Sequence, residues 1–312
     1  MSIVQTDVPM TPRLLGQTIS ALTREYPFCR SEVLTTTAFG RPLQTLVIGR
    51  GKRKVLYTAA HHANEWITAP VILKFVEELA EAIRSGGKIN GVDARGLSEA
   101  VTIYTVPMVD PDGVALVTEE IGPGDRGYEK ALSLAREYPE IPFPQGWKAN
   151  LMGVDLNLNY PAGWLQAREN KFAQGYVRPG PRDYVGRAPL DQPETRALAG
   201  YTEFLDPELV LAYHTQGEVI YWQFRDIEVP GAEELGQKLA RVSGYSLEET
   251  PFESAFAGYK DWFIKVFRRP GYTVEVGSGI NPLPVSDFDG IYRKNLPLLI
   301  AAAQWAAERE DS

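Results

Sequence analysis

The chain has 312 residues, 44% of them hydrophobic and 23% charged, with a net charge of −8. This is ordinary globular composition, long enough for one large α/β domain or two small ones and for a sizeable core. The acidic balance argues against a nucleic-acid partner, which would need a basic face, and the single cysteine, Cys29, excludes an intrachain disulfide.

Residues 11–26 place Leu14, Leu15, Ile19, Leu22 and Tyr26 at helical spacing. Their N-terminal lead, "MSIVQTDVPMTPRLLGQ", lacks the basic start and apolar run of a secretory signal. No apolar stretch approaches the roughly 20 residues that span a bilayer. The expectation is a soluble, cytoplasmic protein without a membrane partner. "EVLTTTAF" (32–39) and "LQTLVIG" (43–49) read as strands around a "GRP" turn, and "KVLYTAA" (54–60) as a buried strand. Thr68 is the expected N-cap of the helix that follows, with Pro70 in its first turn.

"AVTIYTVPMV" (100–109) is a second buried strand, ended by the turn signal "DPDG". "ELVLAYH" (208–214) and "GYTVEVG" (271–277) are two more. Helices are expected at about 127–138, 193–204, 231–243, 258–267 and 291–308. The alternation predicts a mainly parallel, twisted sheet with helices on both faces and a ligand site beyond the carboxyl ends of its strands. The stretch 140–192 is rich in Gly, Pro, Tyr and Arg, lacks periodicity, and reads as a long functional loop.

The polar residues at those strand ends suggest a chemistry. Of three histidines, His61 and His62 stand together after one strand, with Glu65 three residues on, and His214 ends another. Two imidazoles and a carboxylate can hold catalytic zinc while leaving one position open. Zinc brings the pKa of bound water to about 7, and a nearby carboxylate must then accept the proton. Glu275, flanked by Val274 and Val276, is the candidate, since a carboxylate in an apolar strand is costly unless paired or functional. Alone, His-x-x-Glu is a weak motif, because a histidine near a strand end is more often a hydrogen-bonded core residue. Asp110 and Asp112 in "DPDG" are explained by turn chemistry rather than by a second metal. Trp147, Trp164 and Trp222 read as packing aromatics.

The segments "HHANEWI", "VPMVDPDGVA", "WKANLMGVDLNLNYPAGW", "LAYHTQGEVIYW", "GYKDW" and "GYTVEVG" change the weight of that motif. Taken in order, over about residues 10–305, they resemble the zinc carboxypeptidase family, metallopeptidase family M14. The resemblance implies a single zinc peptidase domain over 1–312, an α/β fold with a mixed twisted sheet of about eight strands sandwiched between helices. It implies one Zn²⁺ per chain, held by His62, Glu65 and His214. Glu275 matches the general base and acid. Lys148 stands where the family usually has an arginine that polarises the scissile carbonyl; it supplies the charge but not the planar fork. Asp155 matches an aspartate that orients the first zinc histidine, and Asn157 an asparagine that helps hold a substrate carboxylate. His61 matches no ligand and reads as structural.

The sequence also departs from the family. Its exopeptidases carry an Asn-Arg pair whose arginine grips the C-terminal carboxylate of the peptide, whereas here the pair is Asn157-Leu158. A leucine cannot make that bidentate contact. "VDLNLNYPAGW" with "HTQGEVIYW" is similar to the branch of γ-D-glutamyl-meso-diaminopimelate peptidases, also called endopeptidase I. That branch implies hydrolysis of a γ-D-glutamyl bond in a small murein peptide. Arg178, Arg182 and Arg187 are the candidate cationic rim for its carboxylates, and Glu218 a candidate subsite residue. No tyrosine stands at the spacing of the family's mobile one, and Tyr259 lies inside the "GYKDW" segment. The alternatives are a carboxypeptidase of unusual specificity and a muropeptide-binding protein without turnover. The last is disfavoured because all four metal-centre and base residues are present.

Overall fold

The computed structural model describes residues 2–309. Among them, seven strands form one sheet, in the order Ser246–Glu248, Val219–Tyr221, Gly271–Glu275, Leu209–His214, Arg53–Ala59, Val101–Val106 and Leu46–Ile48. The four long central strands all run parallel. Val219–Tyr221 and Leu46–Ile48 pair antiparallel to their central neighbours, and Ser246–Glu248 runs parallel to Val219–Tyr221, which makes the sheet mixed. About eight strands were expected. Val33–Thr36 and Pro42–Gln44 instead pair with each other as a separate ribbon, and the expected strand 43–49 breaks at Thr45.

The central strands are largely apolar because both sheet faces are covered. Their side chains alternate between two cores. Val55, Tyr57, Ala59, Leu209, Leu211 and Tyr213 pack into one, against the helices Thr68–Ser85 and Phe288–Ala307. Leu56, Val210 and Ala212 point into the other, which holds residues of Pro193–Leu205 and Tyr259–Phe267. This period of two is what a strand buried on both faces requires.

Three sequence expectations change. "DPDG" opens the helix Pro111–Val117: Asp110 Oδ1 accepts the Gly113 N–H at 2.8 Å, and Pro111 takes the first helical position, where no N–H is needed. The segment 140–192 contains the helix Trp164–Ala173. Thr68 is inside its helix rather than capping it, and its hydroxyl serves the preceding loop. No helix among the described residues is long and apolar enough to cross a membrane.

Candidate active site

The strand Arg53–Ala59 ends in a sharp exit. Ala60 adopts a left-handed φ of 47°, a conformation that L-residues other than glycine rarely hold. Two bonds hold it: Ala60 N–H donates to Thr68 Oγ1 at 2.9 Å, and Ala60 C=O accepts from Asp110 N–H at 2.9 Å. Thr68 in turn donates to the Glu65 carbonyl at 2.7 Å. The short 3-10 turn Ala63–Glu65 is thereby pinned at both ends, with His62 at its start and Glu65 at its close.

His214 ends the adjacent strand, and the sheet register sets Glu275 beside it. His62 Nδ1 lies 2.8 Å from Glu65 Oε1, His214 Nδ1 lies 2.9 Å from Glu65 Oε2, and the two Nδ1 atoms are 3.2 Å apart. All three side chains are buried. Three lone-pair donors converging on one point, two imidazole and one carboxylate, form the donor set that suits zinc. His62 Nε2, facing away, lies 3.1 Å from Asp155 Oδ1, which fixes the ring and leaves Nδ1 free to ligate.

The charges divide the group. Burial pulls both imidazoles down. At His62 the carboxylates of Glu65 and Asp155 outweigh it and raise the pKa to about 9, while His214 stays below its ordinary value. Burial would raise Glu65, but His62 and His214 hold it well below the usual carboxylate range. Glu275 has no such pairing, and burial, with Glu65 nearby, pushes it up to about 8.

The opposite wall comes from the segment after residue 140. Lys148 C=O accepts from Ala63 N–H at 3.1 Å, and Lys148 Nζ lies 3.9 Å from Glu65 Oε1. Asp155 Oδ1 also accepts from Asn157 N–H at 3.1 Å, and Oδ2 from Asp183 N–H at 3.3 Å. A cavity of about 240 Å³ opens onto His62, Lys148, Asp155, Asn157, Leu158 and Glu275. A wider one of about 750 Å³ shares Lys148 and Glu275 and adds Arg182.

Comparison with known proteins matches this arrangement. The profile of the zinc carboxypeptidase family covers residues 15–296. The chain belongs to the zinc carboxypeptidase family. Gamma-D-glutamyl-L-diamino acid endopeptidase 1 of Lysinibacillus sphaericus is 43% identical over 91% of this chain and 69% of its own length. The uncharacterized protein YqgT of Bacillus subtilis is 34% identical over 88% of this chain and 72% of its own. In fold, the crystal structure of thrombin activatable fibrinolysis inhibitor superposes with a TM-score of 0.77 at 17% identity, covering 99% of this chain and 78% of that one.

The peptidase cleft excludes part of the expected rim. Arg178 is paired with Glu137 at 2.8 Å, Arg187 is 88% exposed, and neither lines the two cavities. Glu218 pairs with Lys294 at 2.6 Å and is likewise absent from their walls. Arg182 alone of the three arginines reaches the cleft, tied to Asp183 at 2.6 Å. Tyr259 turns inward, its hydroxyl 2.8 Å from Thr202 Oγ1. His61 is wholly buried and stacks on His214 with ring centroids 5.4 Å apart, which fits the structural role expected of it. Sequence reasoning missed Lys171, Asp183, Lys260 and Asp261, all of which line the smaller cavity. The last two stood in the quoted "GYKDW" segment without a role, and the first two carried no local signal.

Proposed function

We propose that this peptidase hydrolyses the γ-D-glutamyl bond to a diamino acid, meso-diaminopimelate in the first instance, in small murein peptides. One observation carries the reading. The cavity that opens onto His62, one of the three convergent residues His62, Glu65 and His214, presents Leu158, not a cation, beside Asn157. A C-terminal carboxylate has no bidentate partner there. The 43% identity to a γ-D-glutamyl-L-diamino acid endopeptidase supports the same bond.

In this reading His62, Glu65 and His214 hold one zinc ion. Bound zinc supplies Lewis acidity, polarising a carbonyl and making water a nucleophile near neutral pH. Glu275 accepts the proton of the attacking water and returns it to the leaving amine. Lys148 places its ammonium beside the oxygen on which negative charge develops. Asp155 accepts the His62 Nε2–H, at 3.1 Å, and so fixes the tautomer. Asn157 and Arg182 offer hydrogen-bond donors to the substrate's carboxylates.

The test is hydrolysis of L-Ala-γ-D-Glu-meso-diaminopimelate by the zinc-loaded protein, read by mass spectrometry beside an ordinary C-terminal peptide. Release of L-Ala-D-Glu with the ordinary peptide intact is the expected result. Cleavage of only the ordinary peptide would overturn the reading in favour of a carboxypeptidase with another carboxylate grip.

A further inference from the structure

The two proposed imidazole ligands are supported differently. His62 Nε2 meets Asp155 Oδ1 at 3.1 Å, whereas His214 Nε2 is buried and, among the described residues, has no hydrogen-bond partner. A metal-binding imidazole almost always hands its second N–H to an acceptor that fixes the ring. Against His214 lies instead the face of His61, with ring centroids 5.4 Å apart and an interplanar angle of 22°. His61 is set in turn by two tyrosines. Tyr160 Oη lies 3.4 Å from its Nε2. The Tyr259 ring, whose hydroxyl lies 2.8 Å from Thr202 Oγ1, has its centroid 5.4 Å from that of His61. Packing alone does not account for the residue type. His61 is fully buried and its Nδ1 has no partner among the described residues, a cost that an apolar ring in the same place would avoid.

We propose that His61 is a positioning residue for the metal centre, its ring face holding His214 in the metal-bound state, an inference that rests on His214 being a ligand. An imidazole that gives its Nδ1 lone pair to a dication becomes electron-poor. An electron-poor ring is attracted to the π face beside it, most strongly where water is excluded. The contact between His61 and His214 is therefore stronger with metal than without. It fixes the second ligand by a ring face where Asp155 fixes the first by a hydrogen bond. Its worth belongs in the metal affinity, not in the stability of the metal-free chain. Nε2 of the same ring serves the Tyr160 hydroxyl, which no hydrocarbon ring could do.

The experiment compares His61→Phe, which keeps a flat π face, with His61→Leu, which fills the slot without one. Both are made together with Tyr160→Phe, so that neither leaves the Tyr160 hydroxyl unpartnered. Replacing both partners of a buried polar contact by apolar groups is nearly neutral, so both double variants should fold. Zinc affinity is measured by competition with a chelator, ligand geometry by the visible absorption of the cobalt(II)-loaded protein, and stability by the melting temperature of the metal-free protein. The Phe variant should match the wild type in affinity and spectrum. The Leu variant should bind zinc about threefold to thirtyfold more weakly, the range of a cation–π contact away from water. Its cobalt spectrum should shift while its metal-free melting temperature stays level with that of the Phe variant. Equal affinity and equal spectra in the two variants would overturn the proposal and leave His214 as a ligand. A wild type that binds no zinc would overturn the proposal and the ligand set together. Neither readout uses a substrate, so both outcomes are separate from the test of the γ-D-glutamyl bond.

Discussion

His214 and Glu275 sit side by side at the ends of two paired parallel strands, where a ladder of backbone bonds fixes each of them. Lys148, Asp155 and Asn157 face them from a segment that has no strand, held by single bonds such as Lys148 N–H to Pro181 C=O at 2.8 Å and Asn150 Nδ2 to Gln192 Oε1 at 2.9 Å. The two sides of the cleft therefore answer differently to substitution. On the strand side, a side chain can be exchanged while the backbone that carries it stays put. On the segment side, the position itself depends on a few bonds, each worth about 1 kcal/mol.

The largest effect should come from the strand side. His214→Ala removes one of three proposed ligands and should bring activity to background, with zinc lost on dialysis. Full zinc by elemental analysis would refute the ligand set. Glu275→Gln should retain zinc and lower kcat by about 10²–10⁴, the worth of a positioned general base. Near-normal turnover would remove Glu275 from that role. In both variants the fold should survive, because neither residue carries a ladder bond through its side chain.

The same contrast governs what could be read in advance. The central strands are apolar runs, so 54–60, 100–109, 208–214 and 271–277 were legible, and with them the ends that carry His62, His214 and Glu275. "DPDG" misled because Asp and Pro that favour a turn also cap and open a helix, as Asp110 and Pro111 do. Arg178, Arg182 and Arg187 looked like one rim because they are neighbours in sequence. The irregular chain sends Arg178 to Glu137 and leaves Arg187 in solvent. Lys171 meets Asp183 at 2.7 Å across a loop, an ion pair with no periodic signature in the chain. The segment side is written in long-range contacts, which sequence spacing does not encode.

A buried anchor beneath that segment gives a pH-dependent test. Glu194, at the start of the helix Pro193–Leu205, is fully buried, and the hydrogen bonds from its own backbone and from Asn150 do not offset that burial. Burial, with Asp112 nearby, pushes its pKa from 4.5 up to about 7. Between those values the unfolded chain has lost the proton and the folded chain has kept it. Stability from this group is thus greatest below about 4.5, falls as pH rises and levels off above about 7. The shift corresponds to about 3 kcal/mol. Glu194→Gln should remove that slope, so denaturant melts should find the variant more stable than wild type at pH 8 and nearly equal at pH 4.5. A constant difference across that range would mean that Glu194 is not protonated in the folded protein.

Asp155 joins the two sides, and its substitution gives the smallest and most discriminating effect. It belongs to the irregular segment, yet its Oδ1 contacts His62 Nε2 at 3.1 Å on the strand side. An amide at this position keeps an oxygen for the Asn157 N–H, so the short 3-10 turn Leu156–Leu158 should persist. What is lost is the negative charge that makes His62 a better donor to a metal, together with the acceptor for Asp183 N–H at 3.3 Å. Asp155→Asn should therefore weaken zinc affinity by about 10–100-fold, measured by competition with a chelator, and change kcat of the fully loaded protein much less. If affinity holds and only the melting temperature drops, Asp155 is an anchor of the segment like Asn150. If affinity drops while the melting temperature of the metal-free protein holds, the irregular side of the cleft tunes the metal that the strand side binds.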